Sequence, residues 1–436
     1  MRFLGVGNVL DLGSLYLRLI AEGHEVKACV TEPLSAGTLA GLIPHVRDWR
    51  SELDWVREAG PDGIVLFESV AEGSGAAQDA LRREGFQVIG GSAWGDRLEN
   101  DRAYAQSVLA GLGLSTAPVW EFNDAFAADR FIRERPAHYV LKFNGPNFYS
   151  NENHVGLLAD GRDVRAVLAG KAAEYAGQEL SFILMQFIEG IEMGVGAYFN
   201  GEQFMKPACI DWEHKRFFAG DMGELTGEMG TVATYEQSNR FFALTLEKLE
   251  PRLREAGYLG YINLNTIVNE DGIWPLEFTC RFGYPGFATL EPLQETSWAE
   301  LFRTMVSRSP GPFRTRAGFS VALVLTTPPF PYTRREVPVP VGLPVFFADA
   351  LNDADRANLH YGEVGLRDGE LVTSGLFGWS MVATGTGPTI SEAKSKAYEL
   401  AAKVVIPNMR YRLDIGDKLI GGDWARLGAL GLLDAA

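Results

Sequence analysis

One 22-residue segment of this chain combines charged side chains and glycines at an unusual density. The segment, DWEHKRFFAGDMGELTGEMGTV at residues 211–232, holds His214, Lys215 and Arg216 next to four glycines. This composition fits neither a plain surface helix nor a core strand, and it indicates a functional loop. His214, which lies between Glu213 and Lys215, is a candidate general base.

Two further candidates follow apolar strand patterns. Lys142 ends the pattern YVLK, and a buried ammonium is costly unless it meets an anion. A phosphate would serve, and an exposed strand end is the alternative. The segment MQFIEGIEM, residues 185–193, offers an apolar wall for an adenine ring, and its Glu192 could accept from ribose hydroxyls; a plain connector is the alternative.

Glu277 is a candidate metal ligand. It projects from the strand pattern WPLEFTC, beside the asparagine-bearing strand INLNT. A carboxylate in that position suits a hard cation. The alternative is an ion pair at a strand edge, with Arg281 as the nearby cation.

The first turn of the chain, GVGN, contains Gly5 and Gly7 and precedes a helical pattern. Backbone N–H groups at a helix N-terminus attract anions, so the turn could bind a phosphate. The dinucleotide fingerprint is incomplete because later glycines are missing, and a tight turn explains the two glycines equally well.

Length, composition and charge limit the class of protein. A chain of 436 residues predicts two to four domains, and its net charge of −16 argues against binding a nucleic-acid backbone. Three widely spaced cysteines form neither a disulfide framework nor a zinc-ligand pattern. No run of 18 apolar residues predicts a membrane span. The expected location is the cytoplasm, and no motif predicts an oligomeric state.

Strand and helix patterns alternate up to about residue 95, which is typical of a parallel sheet covered by helices. A helix is then predicted from residue 97, followed by strand-rich sequence with a hairpin turn at Asn269–Gly272. We predict an α/β protein with three domains: residues 1–96, 97–310 and 311–436.

The order of these segments resembles the glycinamide ribonucleotide synthetase family of the ATP-grasp superfamily. The resemblance is carried by LENDRAYAQSVLAGLGLSTAP, MQFIEGIEM, EHKRFFAGDMGELTGEMG, PLEFTCRFGYP and the C-terminal run from HYGEVG to YRLDIG. It implies an N-terminal pre-ATP-grasp domain, a central two-lobed ATP-grasp domain and a small C-terminal α+β domain. It also implies small-molecule substrates and the cofactors ATP and Mg²⁺ or Mn²⁺.

The resemblance implies a role for each matching residue. Arg102 and Lys142 would contact the ATP phosphates, and Lys215, Arg216 and Arg281 would act in catalysis at an acyl phosphate. The adenine would be held by Met185, Gln186, Phe187 and Ile188, and the ribose by Glu192. The metal ligands would be Glu277, Asn265 and Thr279.

The chain departs from the family pattern at two places that bear on the substrate and the nucleotide. The first turn lacks the arginine of the family's turn, and the segment KFNGPNFYSNENHVG replaces a glycine–lysine–glycine lid. Three functions follow as hypotheses. The first is a ligase that joins glycine or another amino acid to a non-standard amine, either nucleotide-like or a specialised metabolite. The others are an authentic phosphoribosylamine–glycine ligase and a nucleotide-binding relative without catalysis.

Overall fold

The first unit of the structure is a parallel sheet covered by helices, as predicted. The computed structural model describes residues 1–69, 73–144, 152–175, 180–311 and 313–434. Five strands pair in the order β3-β2-β1-β4-β5, and every pair is parallel. All residues of the strand GIVLF are buried, as expected of a central strand in a sheet with two covered faces. The elements are β1 (Arg2–Gly7), α1 (Gly13–Ala21), β2 (Glu25–Val30), β3 (His45–Val46), α2 (Leu53–Glu58), β4 (Gly63–Phe67), α3 (Ser74–Arg83), β5 (Gln87–Ile89) and α4 (Ala93–Asn100).

The helix predicted from residue 97 is two helices. Helix α4 ends at Asn100, and α5 (Arg102–Gly111) begins after Asp101, whose carboxylate accepts from the backbone N–H of Tyr104 at 2.9 Å. An aspartate at this position satisfies a free N–H group and starts a new helix, which a continuous apolar pattern does not reveal.

A first lobe follows as a small antiparallel sheet packed on two helices. Its strands pair in the order β6-β9-β7-β8. Its own apolar core, centred on Phe182, Leu141 and Ile132, is separate from the main core of the molecule. The elements are β6 (Val119–Phe122), α6 (Ala125–Glu134), β7 (Tyr139–Phe143), β8 (His154–Val155), α7 (Arg162–Glu174) and β9 (Phe182–Gln186).

The second lobe is built on an eight-stranded antiparallel sheet with the order β16-β15-β10-β11-β14-β17-β22-β19. The predicted hairpin is confirmed, since Asn269 pairs with Gly272 at the turn between β15 and β16. The elements as far as residue 306 are β10 (Ile191–Phe199), β11 (Phe204–Glu213), β12 (Arg216–Phe218), β13 (Met222–Leu225), β14 (Gly230–Thr234), α8 (Asn239–Leu244), α9 (Glu250–Glu255), β15 (Gly260–Asn269), β16 (Gly272–Thr279), α10 (Gly286–Leu290) and α11 (Trp298–Val306).

The remaining chain continues this same sheet. Strand β17 pairs with β14 along its length, so the sheet crosses the boundary drawn between residues 310 and 311. Helix α13 packs on β22 and β17. The elements are β17 (Phe319–Thr326), β18 (Phe346–Phe347), α12 (Asp353–Asn358), β19 (Leu359–Tyr361), β20 (Val364–Arg367), β21 (Glu370–Thr373), β22 (Trp379–Gly387), α13 (Ile390–Ala401), β23 (Val404–Val405) and α14 (Trp424–Ala429).

Candidate active site

A cavity of about 700 Å³ lies where these parts meet. One wall is formed by turns of the first unit that contain Asp11 and Glu68, and a second wall by Lys215 and Glu277 of the large sheet. A third wall comes from the C-terminal part of the chain and includes Trp379. The carboxyl edge of the first sheet therefore faces the same space as the large sheet, which is the usual place for a ligand in an open α/β sheet.

Lys215 is the centre of an ionic cluster in this cavity. Its ammonium lies within 3.2 Å of three carboxylates, at 2.8 Å from Glu277, 3.1 Å from Glu192 and 3.2 Å from Glu213. Burial alone would lower the pKa of Lys215, but these carboxylates raise it well above its usual range. In turn, Lys215 is the main cause that holds the pKa of Glu277 well below its usual range. Both groups are therefore charged at neutral pH.

Glu277 and Asn265 are brought side by side by strand register. They are paired residues of β16 and β15, so their side chains share one face of the sheet. The Asn265 amide nitrogen donates to Glu192 at 2.7 Å, while its Oδ1 is buried without a hydrogen-bond partner in the described part of the chain. Thr279 lies two residues beyond Glu277 and lines the same cavity.

These oxygens fit a divalent cation only in part. The Glu277 carboxylate and Asn265 Oδ1 are suitable hard donors. Among the described residues, however, no group of three or more His, Cys, Asp or Glu side chains is arranged to hold a metal ion. The protein side therefore supplies about two donors, and oxygens of a bound triphosphate would have to supply others.

Two further cations face Glu277 from other elements. Lys142 of β7 lies 4.0 Å from Glu277 Oε2, and burial lowers the pKa of Lys142 to about 8 against the attraction of that carboxylate. Arg102, at the start of α5, also lines the cavity, and one of its terminal nitrogens is buried without a hydrogen-bond partner among the described residues. Burial lowers the pKa of Arg102, and Glu277 partly offsets that effect.

The predicted adenine-binding segment forms an apolar patch between the lobes. Met185 is buried in a small cluster with Val140. Phe187 and Ile188 of the same segment pack against this cluster, and so does Leu276 from β16 of the second lobe. The backbone N–H groups of two residues in the segment already donate to carbonyls, Gln186 to Pro118 at 3.0 Å and Phe187 to His138 at 2.9 Å. The Gln186 side chain is exposed. The patch can therefore cover a flat apolar ring with side chains from both lobes.

Arg281 does not pair with Glu277. Its Nε donates to Glu99 of α4 at 3.1 Å, and Glu99 also accepts from the backbone N–H of Cys280 at 2.6 Å. The guanidinium lines the cavity near Asp11, and both Glu99 and Asp11 raise its pKa. Arg281 is thus fixed from behind, with the cavity in front of it.

Side chains of the glycine-rich segment point alternately toward the cavity and away from it. Glu213 and Lys215 line the cavity, whereas His214 and Arg216 do not, as expected where an extended chain alternates its side chains. Arg216 donates to the carbonyl of Gly223 at 2.8 Å. His214 is buried, and its Nε2 accepts from the backbone N–H of Gly416 at 3.2 Å. His214 is therefore not placed to act as a general base in the cavity.

The C-terminal motif YRLDIG holds the outer side of this segment. Arg412 is almost fully buried, and it donates to Asp221 at 2.7 Å and to the carbonyl of Arg216 at 3.0 Å. Asp414 accepts from the backbone N–H of Gly220 at 2.8 Å. Gly220 and Asp221 of the segment thus serve a contact with the C-terminal motif, and Asp221 and Arg412 are 191 residues apart in the chain.

The first turn does not present an open anion site. The carboxylate of Glu68 accepts from the backbone N–H of Leu12 at 3.2 Å and from the hydroxyl of Tyr16. A Cβ at Gly7 would lie 2.5 Å from Glu68 Oε2, so Gly7 is required by the close approach of this carboxylate. Glu68 therefore occupies the N-terminus of α1, where a phosphate was one of two predicted occupants.

Sequence reasoning missed several residues of the cavity. Glu68, Asp211 and Glu228 line it, and so do Phe377 and Trp379. Asp211 and Glu228 lie inside the glycine-rich segment 211–232, and the high density of charged residues in that segment was the available signal. The predicted lid, residues 142–156, can be followed only at its ends, since 145–151 lie outside the described residues.

Comparisons with known proteins agree with this arrangement. Residues 100–287 match the family model described as the phosphoribosylglycinamide synthetase ATP-grasp (A) domain. The phosphoribosylamine–glycine ligase of Vibrio parahaemolyticus is 25% identical over 393 residues, which cover 88% of this chain and 86% of that protein. The enzyme of the same name from Neisseria meningitidis serogroup B is 24% identical over 447 residues, 96% of this chain and 100% of that protein.

A solved structure gives the same result for the fold. The crystal structure of phosphoribosylamine–glycine ligase from Thermotoga maritima has a TM-score of 0.71 and 22% identity, and the match covers 95% of this chain and 100% of that one. The two lobes and the cleft between them define an ATP-grasp protein, and its relatives are carbon–nitrogen ligases. Within that class the chain is similar to phosphoribosylamine–glycine ligases as a divergent relative, and it is an ATP-grasp carboxylate–amine ligase.

No helix in the described ranges of the chain has both the length and the apolar character needed to cross a membrane.

Proposed function

We propose that this protein uses ATP to activate an amino-acid carboxylate as an acyl phosphate and then transfers the acyl group to an amine. The observation that carries the proposal is the convergence of Lys142, Arg102 and Lys215 on Glu277, next to an apolar patch shared by the two lobes. Such a group of cations neutralises phosphoryl oxygens, and phosphoryl transfer depends mainly on this neutralisation and on positioning.

Each side chain has a part in this scheme. The adenine would lie against Met185, Phe187 and Ile188, and the phosphates would meet Arg102 and Lys142. Arg281, fixed by Glu99, would hold the carboxylate that is activated. Glu277 and Asn265 would hold Mg²⁺, which neutralises charge on the phosphates when bound. On binding, Lys215 would exchange part of its contact with Glu277 for a phosphoryl oxygen.

The bonds change in two steps. A carboxylate oxygen of the amino acid attacks the γ-phosphorus of ATP, and ADP leaves with the electron pair of the broken phosphorus–oxygen bond. The amine nitrogen then attacks the carbonyl carbon of the acyl phosphate. A carbon–nitrogen bond forms, phosphate leaves with the electrons of the carbon–oxygen bond, and the nitrogen loses one proton.

The two candidate amines have different support. The relatives are named phosphoribosylamine–glycine ligases, which favours phosphoribosylamine and glycine over a specialised metabolite. The first turn favours a different amine, because Glu68 fills the N-terminus of α1 that a phosphate could otherwise use. Glycine is the first candidate for the carboxylate in both cases.

Hydroxylamine tests the activation step without knowledge of the amine, because it converts an acyl phosphate into a hydroxamate. The full chain with ATP, Mg²⁺, glycine and hydroxylamine should release ADP and form hydroxamate in equal amounts. A panel of other amino acids tests the choice of carboxylate. Nucleotide binding without ADP release for any carboxylate would reject the ligase in favour of a binding protein without catalysis.

The variant Glu277→Gln should reduce hydroxamate formation at least ~100-fold, because it removes the charge that organises Lys215, Lys142 and the metal. Glu270→Gln is the matched control. Glu270 follows β15 of the same hairpin and forms an exposed ion pair with Arg426. Full activity of Glu277→Gln would remove Glu277 from the reaction. If the protein forms an amide product from synthetic phosphoribosylamine in place of hydroxylamine, its activity is that of a phosphoribosylamine–glycine ligase, as the relatives are named.

A further inference from the structure

One part of the cavity, which we call the acceptor end, is walled by Asp11, Glu228, Tyr284, Phe377 and Trp379. Burial raises the pKa of the Tyr284 hydroxyl well above its usual value, and the nearby carboxyl groups of Asp11, Glu363 and Glu228 add to this effect. The acceptor end thus joins the first turn, the glycine-rich segment and the C-terminal part of the chain.

Three aromatic rings form one side of the acceptor end. Trp379 is stacked on Tyr284, with ring centroids 4.8 Å apart and an interplanar angle of 18°. Phe377 also stacks on Trp379, with ring centroids 4.6 Å apart and an interplanar angle of 24°. All three residues line the cavity. The negative face of an aromatic ring attracts cations.

Glu363 fixes this aromatic stack from behind. Its carboxylate accepts backbone N–H groups from Leu376 at 2.7 Å, from Phe377 at 2.9 Å and from Trp379 at 3.1 Å. Glu363 is itself 3% exposed. The loop that carries Phe377 and Trp379 is therefore rigidly placed before any ligand arrives.

Two buried carboxylates at the cavity wall have an oxygen without a partner among the described residues. Glu228 and Asp211 are each 6% exposed, and both line the cavity. Glu228 Oε1 and Asp211 Oδ1 accept no hydrogen bond within the described ranges. Burial is the main cause that raises the pKa of Asp211 to about 8 and that of Glu228 well above its usual range. An incoming donor or cation would remove the cost of leaving these oxygens unpaired.

An anion finds no comparable place at the acceptor end. The N-terminus of α1 is occupied by Glu68, and Asp11 lies directly beside it in the chain turn. Of the nearby cations, Arg335 pairs with Glu32, and Arg281, which pairs with Glu99, is assigned by the proposed function to the carboxylate that is activated. A phosphate placed here would therefore face mainly carboxyl groups.

We propose that the amine acceptor of this ligase is an organic cation, a molecule that carries an ammonium group on an apolar or aromatic body and no phosphate. Its body would lie against the Tyr284–Trp379–Phe377 stack. Its ammonium would pair with the carboxyl groups of Glu228, Asp211 and Asp11, and those that are protonated in the free protein would release their protons to solvent on binding. This inference rests on the proposed ligase function, since it names the acceptor of that reaction.

Binding of simple probes tests this inference on the full chain saturated with ADP and Mg²⁺. Benzylamine and 1,4-diaminobutane represent the proposed class, and ribose 5-phosphate represents a phosphorylated acceptor. Calorimetry should show both amines binding and ribose 5-phosphate binding at least ~10-fold more weakly. Ribose 5-phosphate that binds as tightly as the amines would overturn the inference, and so would the absence of binding by both amines at millimolar concentration.

The variant Glu228→Gln should weaken benzylamine at least ~10-fold, because glutamine cannot lose a proton to become the anion that pairs with the bound ammonium. Glu224→Gln, in the same segment but outside the cavity wall, is the matched control and should bind benzylamine as the parent chain does. Equal affinity in Glu228→Gln and the parent would overturn the inference. If Glu228→Gln does not fold, Asp11→Asn carries the same expectation.

The hydroxamate assay separates the two proposals, because it uses neither the natural amine nor the acceptor end. Hydroxamate formation together with tight ribose 5-phosphate binding would reject only the cationic acceptor. Amine binding that weakens in Glu228→Gln, in a chain that forms no hydroxamate, would retain the cation site and reject the ligase.

Discussion

At the scale of single residues, the clearest sign of an anionic ligand is a cation with a buried nitrogen that forms no hydrogen bond within the described ranges. Arg102 is mostly buried, and one terminal nitrogen has no hydrogen-bond partner among the described residues. A buried donor without a partner costs about 1–3 kcal/mol. Lys215 differs because three carboxylates surround it. Arg102 is therefore the residue whose removal best separates stability from ligand binding.

Replacing Arg102 with methionine should leave the unliganded protein as stable as the parent or more stable, because the buried nitrogen without a hydrogen-bond partner is gone. The same change should weaken ATP binding ~10- to 100-fold through the loss of a charge-assisted hydrogen bond. Thermal unfolding with and without ATP and Mg²⁺ measures both effects. Arg97→Met is the control, since Arg97 is 60% exposed and pairs with Asp101. A variant stabilised by ATP as much as the parent would show that Arg102 does not contact the nucleotide.

At the scale of elements, the glycine-rich segment and the C-terminal motif stabilise each other. His214 is one of the contacts, and it is neutral in the folded protein: burial first, and then Arg412, lower its pKa to about 4. In the unfolded chain a histidine has a pKa of about 6.5. The folded state thus binds the proton less well than the unfolded state, and the stability it contributes above pH 6.5 is lost as the pH falls toward 4.

From this difference we expect His214 to account for a loss of about 2 kcal/mol in the free energy of unfolding between pH 7 and pH 5. His214→Gln keeps an acceptor for the N–H of Gly416 and cannot titrate. Urea unfolding at both pH values should therefore show a smaller loss in the variant, by about 2 kcal/mol. An identical pH dependence in the two proteins would mean that another group is responsible.

At the scale of the whole molecule, the large sheet joins parts that the sequence divides. Strand β17 lies between β14 and β22, and every residue of β14 is buried. A chain that ended at residue 310 would expose the whole edge of β14. It would also lack Arg412 and the aromatic wall of the cavity. An exposed apolar strand edge pairs readily with other chains.

A fragment of residues 1–310 should consequently aggregate and should lack a cooperative thermal transition, whereas the full chain should show one. Gel filtration and near-ultraviolet circular dichroism of the two proteins check this expectation. A soluble, monomeric fragment with the aromatic signal of a packed core would show that the boundary at 310/311 separates independent domains.

Local patterns were sufficient for most elements. Short stretches of sequence predicted the alternation of strands and helices up to residue 95 and the hairpin at Asn269–Gly272. The structure confirms both. Single residues such as Lys142 and Glu277 could be singled out because a charge at the end of or within an apolar strand is costly without a partner. The break at Asp101 was missed because apolar periodicity continues across it.

The sequence by itself therefore determined the fold class, the order of the elements and the group of charges to be placed in a cleft. Only the tertiary structure decided which of them meet: Lys215 with Glu277, 62 residues apart, and Arg412 with Asp221, 191 residues apart. It also decided that Glu68 fills the first turn and that His214 faces away from the cavity. The physical reason is that periodicity records which side of an element is apolar, whereas strand register and the packing of distant elements set the partner and the burial of each charge.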